Sequence, residues 1–97
     1  LSKLNELWLE SCNLSNLSAL ISIKTLKTLF LNPNYNNPQI DTVSLAQMDN
    51  IENLTICRPS NNIEWINNMT SLKNISFEFY DNNGITPEFL QAIKNLN

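Results

Sequence analysis

The sequence contains no histidine, and its single glycine is Gly84. Without histidine, Ser-His and Cys-His nucleophilic chemistry is excluded within the chain. One glycine cannot build a glycine-rich phosphate cradle. The two cysteines, Cys12 and Cys57, do not form a CxxC pair, so no metal-ligand pattern exists and neither metal nor cofactor is expected. Charged residues make up only 15% of the chain, and six Lys and Arg against nine Asp and Glu leave a net charge of −3. So few cations cannot neutralise a phosphate backbone, which argues against nucleic acid as a partner. No apolar run approaches the roughly 18 residues of a membrane span, so no membrane insertion is expected. No basic-then-apolar leader is present, and the chain opens on Leu1 rather than Met, which leaves room for a leader or domain upstream.

What the sequence has in quantity is leucine, isoleucine and asparagine. Asparagine is close to a fifth of the chain. It tolerates the left-handed turn conformation better than other non-glycine residues, and its side chain bonds nearby backbone. The stretches "NPNYNN", "PSNN" and "DNN" are therefore expected to turn where glycine would elsewhere. The apolar residues of the opening stretch fall at Leu4, Leu7, Leu9, Cys12 and Leu14. That spacing fits neither the 3.6-residue period of a helix nor the strict alternation of a strand. It recurs at Leu26, Leu29, Leu31 and Asn34, at Ile51, Leu54, Ile56 and Pro59, and at Leu72, Ile75, Phe77 and Tyr80. Successive copies step by 22, 25 and 21 residues, which is an internal repeat.

The pattern LxxLxLxx(N/C)xL resembles that of leucine-rich repeats. Leu4 to Leu14 matches at every position, and "LKTLFLNPN" matches through Asn34. Pro59 and Tyr80 depart from it, standing where the family has Asn or Cys. The unit length is similar to the short 22-residue class found in bacterial internalin-type and intracellular phosphatase-regulator-type proteins. The resemblance implies an α/β leucine-rich repeat solenoid. Four short parallel strands would line its concave face, with 3₁₀ or helical return segments on the convex face. The chain 1–97 would then be one segment of about four repeats, 1–25, 26–50, 51–71 and 72–97. Each Leu-x-Leu pair is strand-like, and strands stack about 4.8 Å apart. Apolar residues every third position (Leu14, Leu17, Leu20 and Ile23, then Ile63, Ile66 and Met69) suit 3₁₀ returns. Two returns read as helices. One has Asn37 as cap and Pro38 first; the other has Thr86 as cap, Pro87 first and Glu88 near the positive dipole end. Phe89, Ile93 and Leu96, or Leu90 with Ile93, would face inward. Departures at Pro59 and Tyr80 predict an irregular ladder in the second half.

The outward strand positions define the candidate site. They are Glu6, Trp8 and Glu10; Thr28, Phe30 and Asn32; Asn53, Thr55 and Cys57; and Asn74, Ser76 and Glu78. Trp8 and Phe30 share a register on adjacent strands and should sit side by side. Exposed aromatics are typical binding anchors. Partner-binding candidates are therefore Glu6, Trp8, Glu10, Phe30, Asn32, Cys57 and Glu78, facing a protein with basic and apolar surface. Glu6 and Glu10 lie about 13 Å apart along a strand, on an open surface, which does not make a catalytic carboxylate pair, so no catalytic residue is assigned. Trp65 is expected to pack over a neighbouring return segment on the convex side. Cys12 points inward and Cys57 outward, two strands apart, at roughly 10 Å, beyond disulfide reach. Two thiols favour a reducing compartment, whereas the internalin-type resemblance would place the chain at a bacterial cell surface, so localisation stays open. Five Asn-x-Ser/Thr triplets, at Asn13, Asn16, Asn53, Asn68 and Asn74, are read as compositional. No polar caps are visible, so the chain is expected to be a segment of a longer protein or to pair end to end with a second copy. The functional expectation is a non-catalytic protein–protein interaction module. The alternatives are a structural spacer within a longer solenoid and an accessory domain of an enzyme.

Overall fold

The computed structural model describes residues 3–34, 39–60, 62–79 and 86–96. Four strands, β1 (Glu6–Cys12), β2 (Thr28–Pro33), β3 (Asn53–Cys57) and β4 (Asn74–Glu78), form one all-parallel sheet in the order β1-β2-β3-β4. Leu7, Leu29, Leu54 and Ile75 align as one inward column, and Leu9, Leu31, Ile56 and Phe77 as a second. Leu29, Leu31, Leu54 and Ile56 are fully buried, while Leu7, Leu9, Ile75 and Phe77 are only half-buried. The gradient follows from the order of strands, because an outermost strand has a packed neighbour on one side only. The architecture is α/β: the returns between strands are short 3₁₀ or helical segments.

The 3₁₀ turns Ser18–Ser22 and Glu64–Asn68 stand where apolar residues recur at every third position. Leu14, Leu17, Ile63, Ile66 and Met69 are buried, as that spacing requires. Helix α2 (Pro87–Lys94) starts as its sequence predicts. Thr86 Oγ1 accepts the Phe89 N–H at 3.1 Å, Pro87 opens the first turn and Glu88 lies in it. Its inward side is Phe89, Ala92 and Leu96, whereas Ile93 and Leu90 are exposed, which corrects the expected inward set. Phe89 meets Phe77 and Phe79 edge-on at centroid distances of 5.1 and 5.2 Å, so the aromatic contact selects the helix face.

Helix α1 differs from expectation. It spans only Thr42–Leu45, and its cap is Asp41 rather than Asn37. Asn37 and Pro38 lie outside the described residues. Ile40 instead bridges in parallel to Leu14, which holds the chain extended until Asp41. The Asp41 carboxylate then accepts from the Ser44 N–H, the Ser44 hydroxyl and the Leu17 N–H of the preceding return segment.

The same backbone hydrogen bonds occur at three equivalent places. Asn5, Lys27 and Glu52 carbonyls each accept from two successive N–H groups of the next strand's entry: Lys27 and Thr28, Glu52 and Asn53, Lys73 and Asn74. One polar side chain per unit also reaches back. The Thr25 hydroxyl donates to Leu4 O, the Asn50 amide to Leu26 O and Ile23 O, and the Ser71 hydroxyl to Asp49 O. Of these, Asn50 is buried.

Among the paired strand residues the irregularity falls in the first half, while the expectation at Tyr80 lies outside the described residues. β3 and β4 pair in unbroken register, whereas β1 and β2 slip between Glu10 and Cys12. Ser11 takes a positive φ of 53°, and Arg58 one of 52°. Pro33, the matching residue of β2, cannot follow because its ring fixes φ near −65°. Cys12 therefore meets Pro33 rather than Asn34, Pro33 is buried, and Asn34 is exposed with its N–H donating to Cys12 O. Among the described residues the left-handed positions are thus Ser11 and Arg58, not asparagines. Much of the three Asn-rich stretches, and Tyr80, falls outside the described residues.

Two substitutions test these ties. Asn50→Ala leaves the buried Leu26 carbonyl without its amide donor, while Ile23 O keeps the Leu26 N–H, and should cost about 2 kcal/mol in urea unfolding, against a negligible change for exposed Asn68→Ala. The Asp41 carboxyl is held below its ordinary value of 3.8, first by the Ser44 hydroxyl, then by the Leu17 N–H, with the Ser44 N–H adding and partial burial opposing. A lowered folded value means stability that is full above the unfolded pKa and is lost as pH falls through the folded one. Asp41→Asn should therefore unfold more easily at neutral pH and show a shallower loss of stability on acidification below about pH 4.

Candidate functional site

Strand alternation sends the leucine columns to one side and Glu6, Trp8, Glu10, Thr28, Phe30, Asn32, Asn53, Thr55, Asn74, Ser76 and Glu78 to the other. No described segment crosses this open face. Trp8 and Phe30 are register partners and their rings stack, with centroids 4.5 Å apart and planes inclined by 17°. Trp8 remains 57% exposed. The Glu6 carboxylate accepts the Trp8 Nε1–H at 2.7 Å, which fixes the indole's rotation. Glu10, two residues further along β1, is exposed on the other flank. The sequence expectation for this pair of aromatics and its two acids therefore holds in geometry.

Beside the aromatic pair, the row that continues the Glu6 register is polar and hydrogen-bonded. Asn74 Nδ2 donates to Asn53 Oδ1 at 2.7 Å, and Asn53 Nδ2 donates to Thr28 Oγ1 at 3.2 Å. Asn32 is half-buried beside Glu10, and Glu78 is exposed at the far edge. Cys57 departs from expectation. It lies on the open side of β3 but is fully buried, and its Sγ–H donates to Glu78 Oε2 at 3.3 Å. A thiol is short, and the longer Glu78 side chain, its register partner, reaches over it. Cys57 thus cannot present itself to a partner. Neither cysteine forms a disulfide, as strand spacing requires.

The return side carries a feature that repeat spacing did not announce. A cavity of about 520 Å³ opens between Ile40 and Thr42 on one return and Arg58, Ile63 and Trp65 on the next. Trp65 lines this cavity with Ile40 and Thr42, so it lies over the neighbouring return as expected, and its Nε1–H donates to Asn62 O at 2.9 Å within its own return. Arg58 reaches the cavity from a left-handed backbone and donates through Nη2 to Pro33 O. Nothing in a repeat pattern marks an arginine for that conformation.

Among the described residues no group of three or more His, Cys, Asp or Glu could hold a metal ion, and no helix is long and apolar enough to cross a membrane. Comparison with known protein families, with curated proteins and with solved structures finds no match.

Burial separates the two thiols. A maleimide probe on the native protein should label half-buried Cys12 first and leave Cys57 protected, while the unfolded chain should take two labels. Peptide mass mapping reads the order, and prompt native labelling of Cys57 would contradict its burial beneath Glu78.

Proposed function

We propose that the chain is part of a leucine-rich-repeat solenoid that binds another protein on its open strand face and carries out no catalysis. The repeated spacing and the three recurrences of the inter-strand hydrogen bonds support the architectural half of this reading. The functional half is carried by one observation: Trp8 and Phe30 stack between two glutamates on a face that no described segment crosses, and Trp8 is exposed. Burial of the leucine columns does not require aromatics there. A small polar residue would satisfy the strand equally, as Thr55 and Ser76 do at the same register. Large, preoriented aromatic area with acidic flanks suits a partner that offers apolar and basic side chains together.

The spacer alternative makes the opposite demand, that nothing contacts this face. Peptides selected by display against the folded chain, then titrated calorimetrically into variants, separate the two. Trp8→Ala and Phe30→Ala should each weaken such a binder by about 2 kcal/mol with an unchanged circular dichroism spectrum. Binders indifferent to both substitutions would favour the spacer.

A further inference from the structure

We infer that the cavity between the two inner returns is a binding site for a neutral saccharide. Trp65 is its platform for one sugar ring, and the Gln39 amide, Thr42 hydroxyl and Asn62 amide are its hydrogen-bonding groups. The site lies apart from the open strand face and does not depend on the docking reading above. One wall comes from the return between β2 and β3, the other from the return between β3 and β4. The first wall is tied to the preceding return by the Ile40–Leu14 bridge. The second is backed by α2, whose Phe89 packs with Ile63 and Ile66. The described lining residues all lie between Gln39 and Trp65, so a further unit beside β1 or β4 would leave both walls as they are.

Size and lining decide the guest. At about 520 Å³ the cavity is of small-ligand size. Its neutral polar side chains are uncommitted: among the described residues, the Gln39 amide, the Thr42 hydroxyl and the Asn62 amide make no hydrogen bond. Elsewhere such side chains serve the chain itself. Asn16 accepts the Ser18 N–H, Gln47 donates to Val43 O and Asn50 donates to Leu26 O. The one charged side chain of the described lining, Arg58, is already engaged and donates to Pro33 O. The lining therefore does not call for an ion. A purely apolar guest is disfavoured too, because it would strip water from two amides and a hydroxyl and return no hydrogen bond. A sugar ring meets both demands. Its C–H face packs on an indole through many small dispersion contacts. Its rim of hydroxyls donates and accepts, which matches amides and a hydroxyl. The Trp65 indole is also oriented in advance, since its Nε1–H donates to Asn62 O.

The test follows the two indole N–H resonances, assigned by the loss of one in Trp8→Phe. The probes are cellobiose, maltose, lactose and diacetylchitobiose, with cyclohexanol, cyclohexanecarboxylate and triglycine as apolar, anionic and peptide counterparts. At least one disaccharide should shift the Trp65 signal saturably and leave that of Trp8 unmoved. Gln39→Ala and Asn62→Ala, both at exposed positions, should each weaken that sugar about fivefold with unchanged unfolding in urea. Trp8→Ala should leave its binding unaltered, and so should added salt, because no ion pair is made. A Trp65 signal saturated by none of the four sugars would overturn the assignment. So would tighter binding of any of the three counterparts than of every sugar, or a sugar response that survives Gln39→Ala and Asn62→Ala combined.

Discussion

Two columns of inward apolar side chains, Leu7-Leu29-Leu54-Ile75 and Leu9-Leu31-Ile56-Phe77, determine the rest of the molecule. Each fully buried member contributes about 2 kcal/mol of transfer free energy, and a one-residue slip of any strand would put both of its members in water. Register is therefore fixed by the columns, and with register fixed every intervening side chain is committed to the open face. The placement of Trp8 beside Phe30 is a consequence of Leu7, Leu9, Leu29 and Leu31, not of any attraction between the rings. What the rings add is orientation: stacked and bonded to Glu6, they occupy one arrangement rather than several.

The part of the fold carried by those columns was legible in the sequence. Strand positions, 3₁₀ returns and the Thr86 cap follow from apolar spacing and capping chemistry, both of which are local; parallel order was what the leucine-rich-repeat resemblance implied, and the adjacency of Trp8 and Phe30 followed from it. What was not legible depends on contacts between units. Pro33 occupies the place at which Ser11 and Arg58 go left-handed, so the first two strands slip by one residue there. Pro59 and Tyr80 drew attention to the second half, yet the decisive proline was the one in β2, whose ring holds φ negative at the turn. Helix α1 starts only at Thr42, capped by Asp41, because Ile40 bridges to Leu14, a residue 26 positions earlier, and no local propensity reports that. Cys57 was placed on the correct side and misjudged in exposure, because alternation tells where a side chain points and not how tall its neighbours are.

The polar ties at Thr25, Asn50 and Ser71 share the work of holding successive units together, and all three stand before the strands rather than on the open face. Their separation from Trp8, Phe30, Glu6 and Glu10 matters for the proposed role. Leucine columns and entry hydrogen bonds supply cohesion without help from the exposed aromatics, so the open face is free to vary in chemistry while the register stays the same. The face itself shows that freedom. At one register it carries Trp8 and Phe30 and then Thr55 and Ser76, aromatic on two strands and hydroxylic on the next two. A surface that served cohesion alone would have no reason to concentrate its large rings, and the acids beside them, at one edge. The asymmetry, with Trp8 stacked on Phe30 and bonded to Glu6, is the feature on which the proposed docking role rests.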